Sequence, residues 1–261
     1  MALTSVAVAR QLFSEHGAGT NFHTLAAEAG VVDLTSAYAV QREFVELLRP
    51  DNGATAGYKI GLTSARMQKM CNIDQPIAGV VLARRVMRSG IALTAAKYGR
   101  LGVEFEIGVR LGRDLPPVGA PYDAEAVGRA VDGVCAAVEV VDDRNADYKS
   151  LDVLSLIADN SWNAGAILDE FHPRWPDLAA AKGTLTIDGK EIDSGHGRDV
   201  LGHPFVPLAW LANRLAADGS YLKAGDIVLT GSLVTTKFPK ESGRYRYELA
   251  GIGAVDFSVA V

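Results

Sequence analysis

The sequence predicts an α+β protein, a mixed β fold preceded by a small helical N-terminal region, and three patterns predict it. Two stretches within the first fifty residues repeat their apolar side chains at helical spacing. Residues 101–111 alternate strictly, with apolar side chains at every second position, which is the period of a strand. After residue 53 short apolar runs and glycines take over, with occasional helical stretches between them. Helices first and mostly strands afterwards do not have the regular alternation of a βαβ winding.

Taken in order, Val6, Ala9, Leu12 and Phe13 form one face of a first helix within residues 1–20, running into Gly17-Ala18-Gly19. Tyr38, Phe44, Leu47 and Leu48 form the face of a second, which Asp33 or Thr35 could cap. Arg49-Pro50-Asp51-Asn52-Gly53 breaks the helical pattern and divides a helical region, 1–53, from a larger unit, 54–261. Residues 56–64 read as a strand that ends at a helix N-terminus. Ala126, Val127, Ala130, Val131 and Val134 give residues 123–135 helical spacing, and Ala137 to Val141 reads as a buried strand. A helix follows at 151–158, then a hairpin from Thr184 to Ile192 around Asp188-Gly189. His203 to Leu215 is predicted helical, with Pro204 and Pro207 near its start, where proline is tolerated. Ile227 to Thr230 and much of 244–261 read as strands.

Composition narrows the function classes. Hydrophobic residues are 48% and charged residues 22% of the 261, so the chain can bury a sizeable core and is not a disordered one. The net charge of -5, with no cluster of Lys or Arg, argues against nucleic acid or an anionic membrane as partner. Cys71 and Cys135 are too few for a disulfide framework or a structural zinc site and read as buried thiols. No secretory leader and no apolar run of the ~18–20 residues that span a membrane is evident, so a soluble, cytoplasmic protein is expected.

The sharpest chemical signal lies in the 101–111 strand. Glu104 and Glu106 leave the same face, about 7 Å apart, and their neighbours on it are Gly102 and Gly108. Such a face is either half-exposed and solvated or holds a cation between its like charges. Glu139 sits in an apolar strand between Val138 and Val140, where a carboxylate must be paired or bound to metal. Arg144 is one available partner. Carboxylates without a His or Cys cluster suit Mg²⁺ or Mn²⁺ better than zinc. Lys59, in Gly57-Tyr58-Lys59-Ile60-Gly61, either snorkels to the surface or is a functional cation. Thr230-Gly231-Ser232 reads as a turn able to present amides and hydroxyls to an anion.

These stretches, in this order, resemble the 2-keto-4-pentenoate hydratase and 4-oxalocrotonate decarboxylase family of the fumarylacetoacetate hydrolase superfamily. The landmarks are Lys59-Ile60-Gly61-Leu62-Thr63-Ser64, Gln75-Pro76-Ile77, Glu104-x-Glu106 and Glu139-Val140-Val141-Asp142-Asp143-Arg144. Ala158-Asp159-Asn160, Val200-Leu201-Gly202-His203-Pro204, Trp210-Leu211-Ala212-Asn213 and Leu229-Thr230-Gly231-Ser232 continue the series over nearly the whole chain. The resemblance implies a fumarylacetoacetate hydrolase-like mixed β fold and Mg²⁺ or Mn²⁺ held by Glu104, Glu106 and Glu139. It also implies an active-site Lys59, and substrate contacts from Ile77, Ser161, Thr230 and Ser232. The implied substrate is a small 2-oxo or 2-hydroxydienoic acid from aromatic catabolism, and the implied partners are further copies of the chain and a sister hydratase or decarboxylase. Hydration of 2-hydroxypenta-2,4-dienoate is the first expectation and decarboxylation of a 4-oxalocrotonate-like acid the second. Hydratases of this group carry an acidic residue where this chain has Ile77, and the decarboxylases carry Ile. The Glu-His dyad of the superfamily's C–C bond hydrolases is not evident. An inactive metal-binding scaffold is the contrasting expectation outside enzymes.

Overall fold

In the computed structural model, which describes residues 3–25 and 29–261, two helices open the chain, α1 (Ser5–Ala18) and α2 (Leu34–Asn52). The Thr4 hydroxyl accepts from the Ala7 N–H at the start of α1, and Asp33 with Ser36 closes a reciprocal cap on α2. Val8, Ala9 and Leu12 pack against Val40, Phe44, Val45 and Leu48. The buried face of α1 is therefore rotated from the expected one: Val6 and Phe13 are exposed, because the line through Val8, Ala9 and Leu12 is what meets α2. The expected break at Arg49-Pro50 also moves, since α2 continues to Asn52 and Gly53 closes it. Pro50 lacks the N–H that would meet the Glu46 carbonyl, but both residues lie on the exposed side, where water can serve that acceptor.

The remaining chain builds two mixed sheets. The first has seven strands in the order β2 (Ile77–Leu82), β1 (Thr55–Gly61), β10 (Ile227–Ser232), β5 (Leu101–Leu111), β6 (Val131–Asp142), β7 (Asn163–Leu168) and β3 (Val86–Arg88). The second has five: β4 (Ala92–Thr94), β12 (Gly253–Ala260), β11 (Gly243–Leu249), β8 (Lys182–Ile187) and β9 (Lys190–His196). β8 and β9 form the expected hairpin, with Asp188 and Gly189 both at positive φ in its turn. The sheets meet over the apolar face of β5, where the Phe105 ring lies 5.5 Å from Tyr247 and 6.5 Å from Phe257.

Four shorter helices sit between strands: α3 (Ala65–Met70), α4 (Ala124–Gly128), α5 (Val153–Ala158) and α6 (Phe205–Ala217). The helix expected over 123–135 stops at Gly128, and Val131 and Val134 already belong to β6. β6 pairs with β5 along its whole length and is buried almost continuously, so its valines carry no alternation by which to recognise a strand. Cys71 and Cys135 are free and buried. Among the described residues no helix is long and apolar enough to cross a membrane.

Candidate metal and substrate site

The site grows from strand register. Glu104 on β5 stands directly opposite Glu139 on β6, so the two side chains share the face turned away from the second sheet. Glu106, two residues on, shares that face and lies opposite Ser232 of β10. One carboxylate oxygen from each glutamate lies within 4.8 Å of the others. Glu106 and Glu139 are fully buried, so this is not a solvated strand face. Nor does Arg144 neutralise Glu139: its guanidinium pairs with Asp159 at 2.7 Å and donates to the Thr20 carbonyl at 2.8 Å.

Each glutamate accepts one hydrogen bond from a neighbour. The Thr236 hydroxyl donates to Glu104, the Gly231 N–H donates to Glu106 Oε2 at 2.6 Å, and Asn163 Nδ2 donates to Glu139 Oε1 at 2.9 Å. Glu106 Oε1 is buried without a partner. Glu139 Oε2 lies 3.2 Å from Lys59 Nζ but makes no well-aligned hydrogen bond. Burial, with repulsion from Glu139 and Glu104, pushes the Glu106 carboxyl well above its ordinary range. Burial lifts Glu139 to about 7 against the opposing pull of Lys59. Two buried oxygens without hydrogen-bond partners, Glu106 Oε1 and Glu139 Oε2, in a cluster of three convergent carboxylates fit a hard divalent cation, which would supply both the missing partner and the missing charge.

Lys59 enters from β1 and is itself buried. Its stem passes over Gly79, its cross-strand partner on β2. A Cβ at Gly79 would come 2.6 Å from the Asn160 carbonyl oxygen and 3.2 Å from Lys59 Cγ and Cδ, so only glycine leaves room for that stem. Burial alone would lower the proton affinity of the Lys59 amine, but Glu139, Glu104 and Glu106 outweigh it and the group stays an ammonium. A cavity of about 90 Å³ lies against it, lined by Lys59, Glu104, Ile77, Leu156, Ser161 and Trp162 among others. An outer cleft of about 520 Å³ shares Glu104, Tyr148 and Thr236 with it.

The structure thus gathers Lys59, the three glutamates, Ile77 and Ser161 at one point. Ser161 stands in the left-handed region between Asn160 and Trp162, and its hydroxyl donates to the Ala78 carbonyl at 3.0 Å. Thr230-Gly231-Ser232 lies inside β10 rather than in a turn. Its contribution to the carboxylates is the Gly231 N–H on Glu106. The buried Thr230 hydroxyl donates to the Ile107 carbonyl, while Ser232 lines the outer cleft and takes the Phe105 N–H. Sequence reasoning missed Asn163 and Thr236, which orient two of the glutamates. It also missed Tyr148, which lines both cavities and donates to Asp143. An amide directly after Trp162, leading into the apolar run Ala164 to Leu168, was the available signal for Asn163.

Residues 60–260 match the family model described as "Fumarylacetoacetate (FAA) hydrolase C-terminal". A 2-keto-4-pentenoate hydratase of Burkholderia vietnamiensis is 36% identical over 226 residues, 85% of each chain. A 2-keto-4-pentenoate hydratase of Dechloromonas aromatica is 31% identical over 97% of this chain and 96% of its own. Among solved structures, 4-oxalocrotonate decarboxylase from Pseudomonas putida G7, complexed with magnesium and adipate, superposes with a TM-score of 0.91. It is 25% identical, over 98% of this chain and 97% of its own.

Proposed function

Since the chain belongs to the fumarylacetoacetate hydrolase family, we propose that it is a metal-dependent lyase that hydrates 2-hydroxypenta-2,4-dienoate or a closely related 2-oxo acid. The observation that carries the reading is the convergence of Glu104, Glu106 and Glu139 within 4.8 Å beside the Lys59 ammonium, with Glu104 and Lys59 lining a cavity. Glu104, Glu106 and Glu139 would hold Mg²⁺ or Mn²⁺, which when bound supplies Lewis-acid stabilisation of negative charge on the substrate's oxygens. Lys59 adds a fixed positive charge beside the same point, favouring a bound carboxylate and the charge that develops as the dienol loses its proton. Because Lys59 is buried, that charge acts at low dielectric and is stronger than in water. The dienol ketonises as it takes up a proton, and water adds at C4.

Decarboxylation is the second reading, supported by the apolar wall at Ile77. Losing CO₂ leaves the carboxylate's electron pair in the conjugated dienolate, which takes up a proton, and an apolar surface beside the departing carboxylate favours neutral CO₂ over the anion. The similarity to 4-oxalocrotonate decarboxylase supports the same alternative. Product analysis with 2-hydroxypenta-2,4-dienoate and with 4-oxalocrotonate, each with and without Mg²⁺ or Mn²⁺, decides between them. Metal-dependent formation of 4-hydroxy-2-oxopentanoate supports hydration, and CO₂ release from 4-oxalocrotonate alone overturns it. The same reading includes a cytoplasmic homo-oligomer that works beside a sister hydratase or decarboxylase; size-exclusion chromatography with light scattering checks the first part, and co-purification the second.

A further inference from the structure

We infer that Tyr38 and Gln41, two side chains of the helical N-terminal region, are positioning residues of the active site: they grip the backbone on both sides of Ala78 from outside the sheet and thereby fix Ile77 and the seat of Lys59. The inference rests on the site reading above and extends it to α2, which supplies no residue to the carboxylate cluster.

β2 is an edge strand of its sheet, so alternate residues turn their N–H and C=O away from β1. Here those groups belong to Ala78 and Val80, and buried side chains take the place of a missing strand. The Ala78 N–H donates to the Tyr38 hydroxyl at 3.0 Å. The Ala78 carbonyl accepts from Gln41 Nε2 at 2.8 Å and from the Ser161 hydroxyl at 3.0 Å. Gln41 spends its second N–H on the Ile157 carbonyl, at 2.8 Å, which ties α5 to the same point. Val80 is held by the Asn160 amide through both its N–H and its C=O, at 2.7 and 2.9 Å.

Tyr38 and Gln41 are three residues apart on one helix face, and both are more than nine-tenths buried. A glutamine at a core-facing position is costly unless both its donors are used, and here both are. What they hold is not generic core. Ala78 lies between Ile77, which lines the cavity, and Gly79, over which the Lys59 stem runs. A shift of the backbone at Ala78 moves the cavity wall and the ammonium together, and misplacement by about 1 Å can cost on the order of 10²-fold in rate.

The test compares Tyr38→Phe and Gln41→Leu with Phe44→Leu, which loosens the packing of α2 against α1 and gives up no hydrogen bond to β2. The measurements are kcat on 2-hydroxypenta-2,4-dienoate, Mn²⁺ affinity, and calorimetric affinity of the Mn²⁺-loaded protein for oxalate, all well below the unfolding temperature. We expect kcat to fall about tenfold or more in Gln41→Leu and less in Tyr38→Phe, oxalate affinity to fall with it, and Mn²⁺ affinity to stay unchanged. Phe44→Leu should lower the melting temperature and leave kcat and oxalate affinity alone. The double variant should lose little more than Gln41→Leu, because both side chains act on one residue, Ala78. If Gln41→Leu does not fold, Tyr38→Phe, which keeps the ring, decides alone. Kcat and oxalate affinity within about twofold of wild type in the folded variants would overturn the inference, as would equal losses in Phe44→Leu. Should the wild type turn over no dienoate, the proposed activity fails, and the inference is then judged on oxalate affinity.

Discussion

Lys59→Met is the perturbation that reads the site most directly, because it removes one charge from a buried cluster of four. Lys59 Nζ lies 3.2 Å from Glu139 Oε2, and at an effective dielectric constant of about 20 that separation corresponds to about 5 kcal/mol of Coulomb attraction. Breaking a buried pair by removing one partner costs about 3–5 kcal/mol, since the other charge is stranded. For a chain of this size each kcal/mol moves the melting temperature by about 2–4 °C, so the metal-free variant should melt on the order of 10 °C below wild type. The loss has a pH signature. Burial already lifts the Glu139 carboxyl to about 7 with Lys59 pulling it down, and without Lys59 it rises further. A carboxyl whose folded pKa exceeds its unfolded one carries no penalty while protonated, and the penalty grows as pH rises above about 4.3, its unfolded value. The gap between variant and wild type should thus be small near pH 5 and largest near pH 8. Scanning calorimetry of both proteins, stripped of metal, across that range is the assay. Mn²⁺ should restore much of the lost stability at high pH, while kcat/KM stays about 10²-fold low, as for loss of one preorganised electrostatic contact. Equal melting temperatures at all pH values, or near-normal turnover, would refute the reasoning and leave Lys59 an incidental buried lysine.

Replacing Glu139 by Gln should weaken Mn²⁺ binding and abolish turnover while the fold survives, and EDTA should do the same reversibly to the wild type; full activity in either case removes the metal assignment. Ile77→Asp should shift the ratio of the two activities towards hydration and depress decarboxylation, as read by product analysis with both substrates; an unchanged ratio means that residue 77 does not face the reacting carbon. Asp159→Asn breaks the buried pair with Arg144 and should destabilise the protein by about 3–5 kcal/mol in denaturant titrations, with Mn²⁺ affinity retained.

The convergent glutamates of β5 were legible because their signal is local. A strand with period two, two glutamates on one face and glycines beside them can be read within residues 101–111, and structure adds the burial. Glu139 was legible as an anomaly, a charge inside a run of valines, yet its partner was not: Arg144 is near in sequence, while Lys59 is near in space, on β1 with β10 and β5 between it and β6. The start of β6 was misread for a related reason. A strand buried on both faces has no alternation, and Ala126 to Val134 satisfies helical spacing equally well until pairing with β5 decides it. Gln41 could have been noticed, since it falls between Tyr38 and Phe44 on the apolar face of α2. What it holds, the outer edge of β2, depends on a sheet order that no local pattern carries.

The same physics that builds the core also places the carboxylates. Glu104 and Glu139 repel each other and cannot set their own alignment; the register is set on the opposite face of the same two strands, where Val103 faces Val140 and Phe105 faces Val138. A slip of one residue would set Glu139 opposite Val103 or Phe105 and turn it towards the second sheet, among Tyr247 and Phe257. An unpaired carboxylate there costs several kcal/mol, besides the valines it would expose on the cavity side. Burial of the apolar face therefore holds together three carboxylates that would otherwise move apart, and burial, with the repulsion among them, raises the proton affinity of Glu106 and Glu139. A divalent ion bound between them, as proposed, would relieve that repulsion at a point where the packing of residues that never touch it has already brought the carboxylates together.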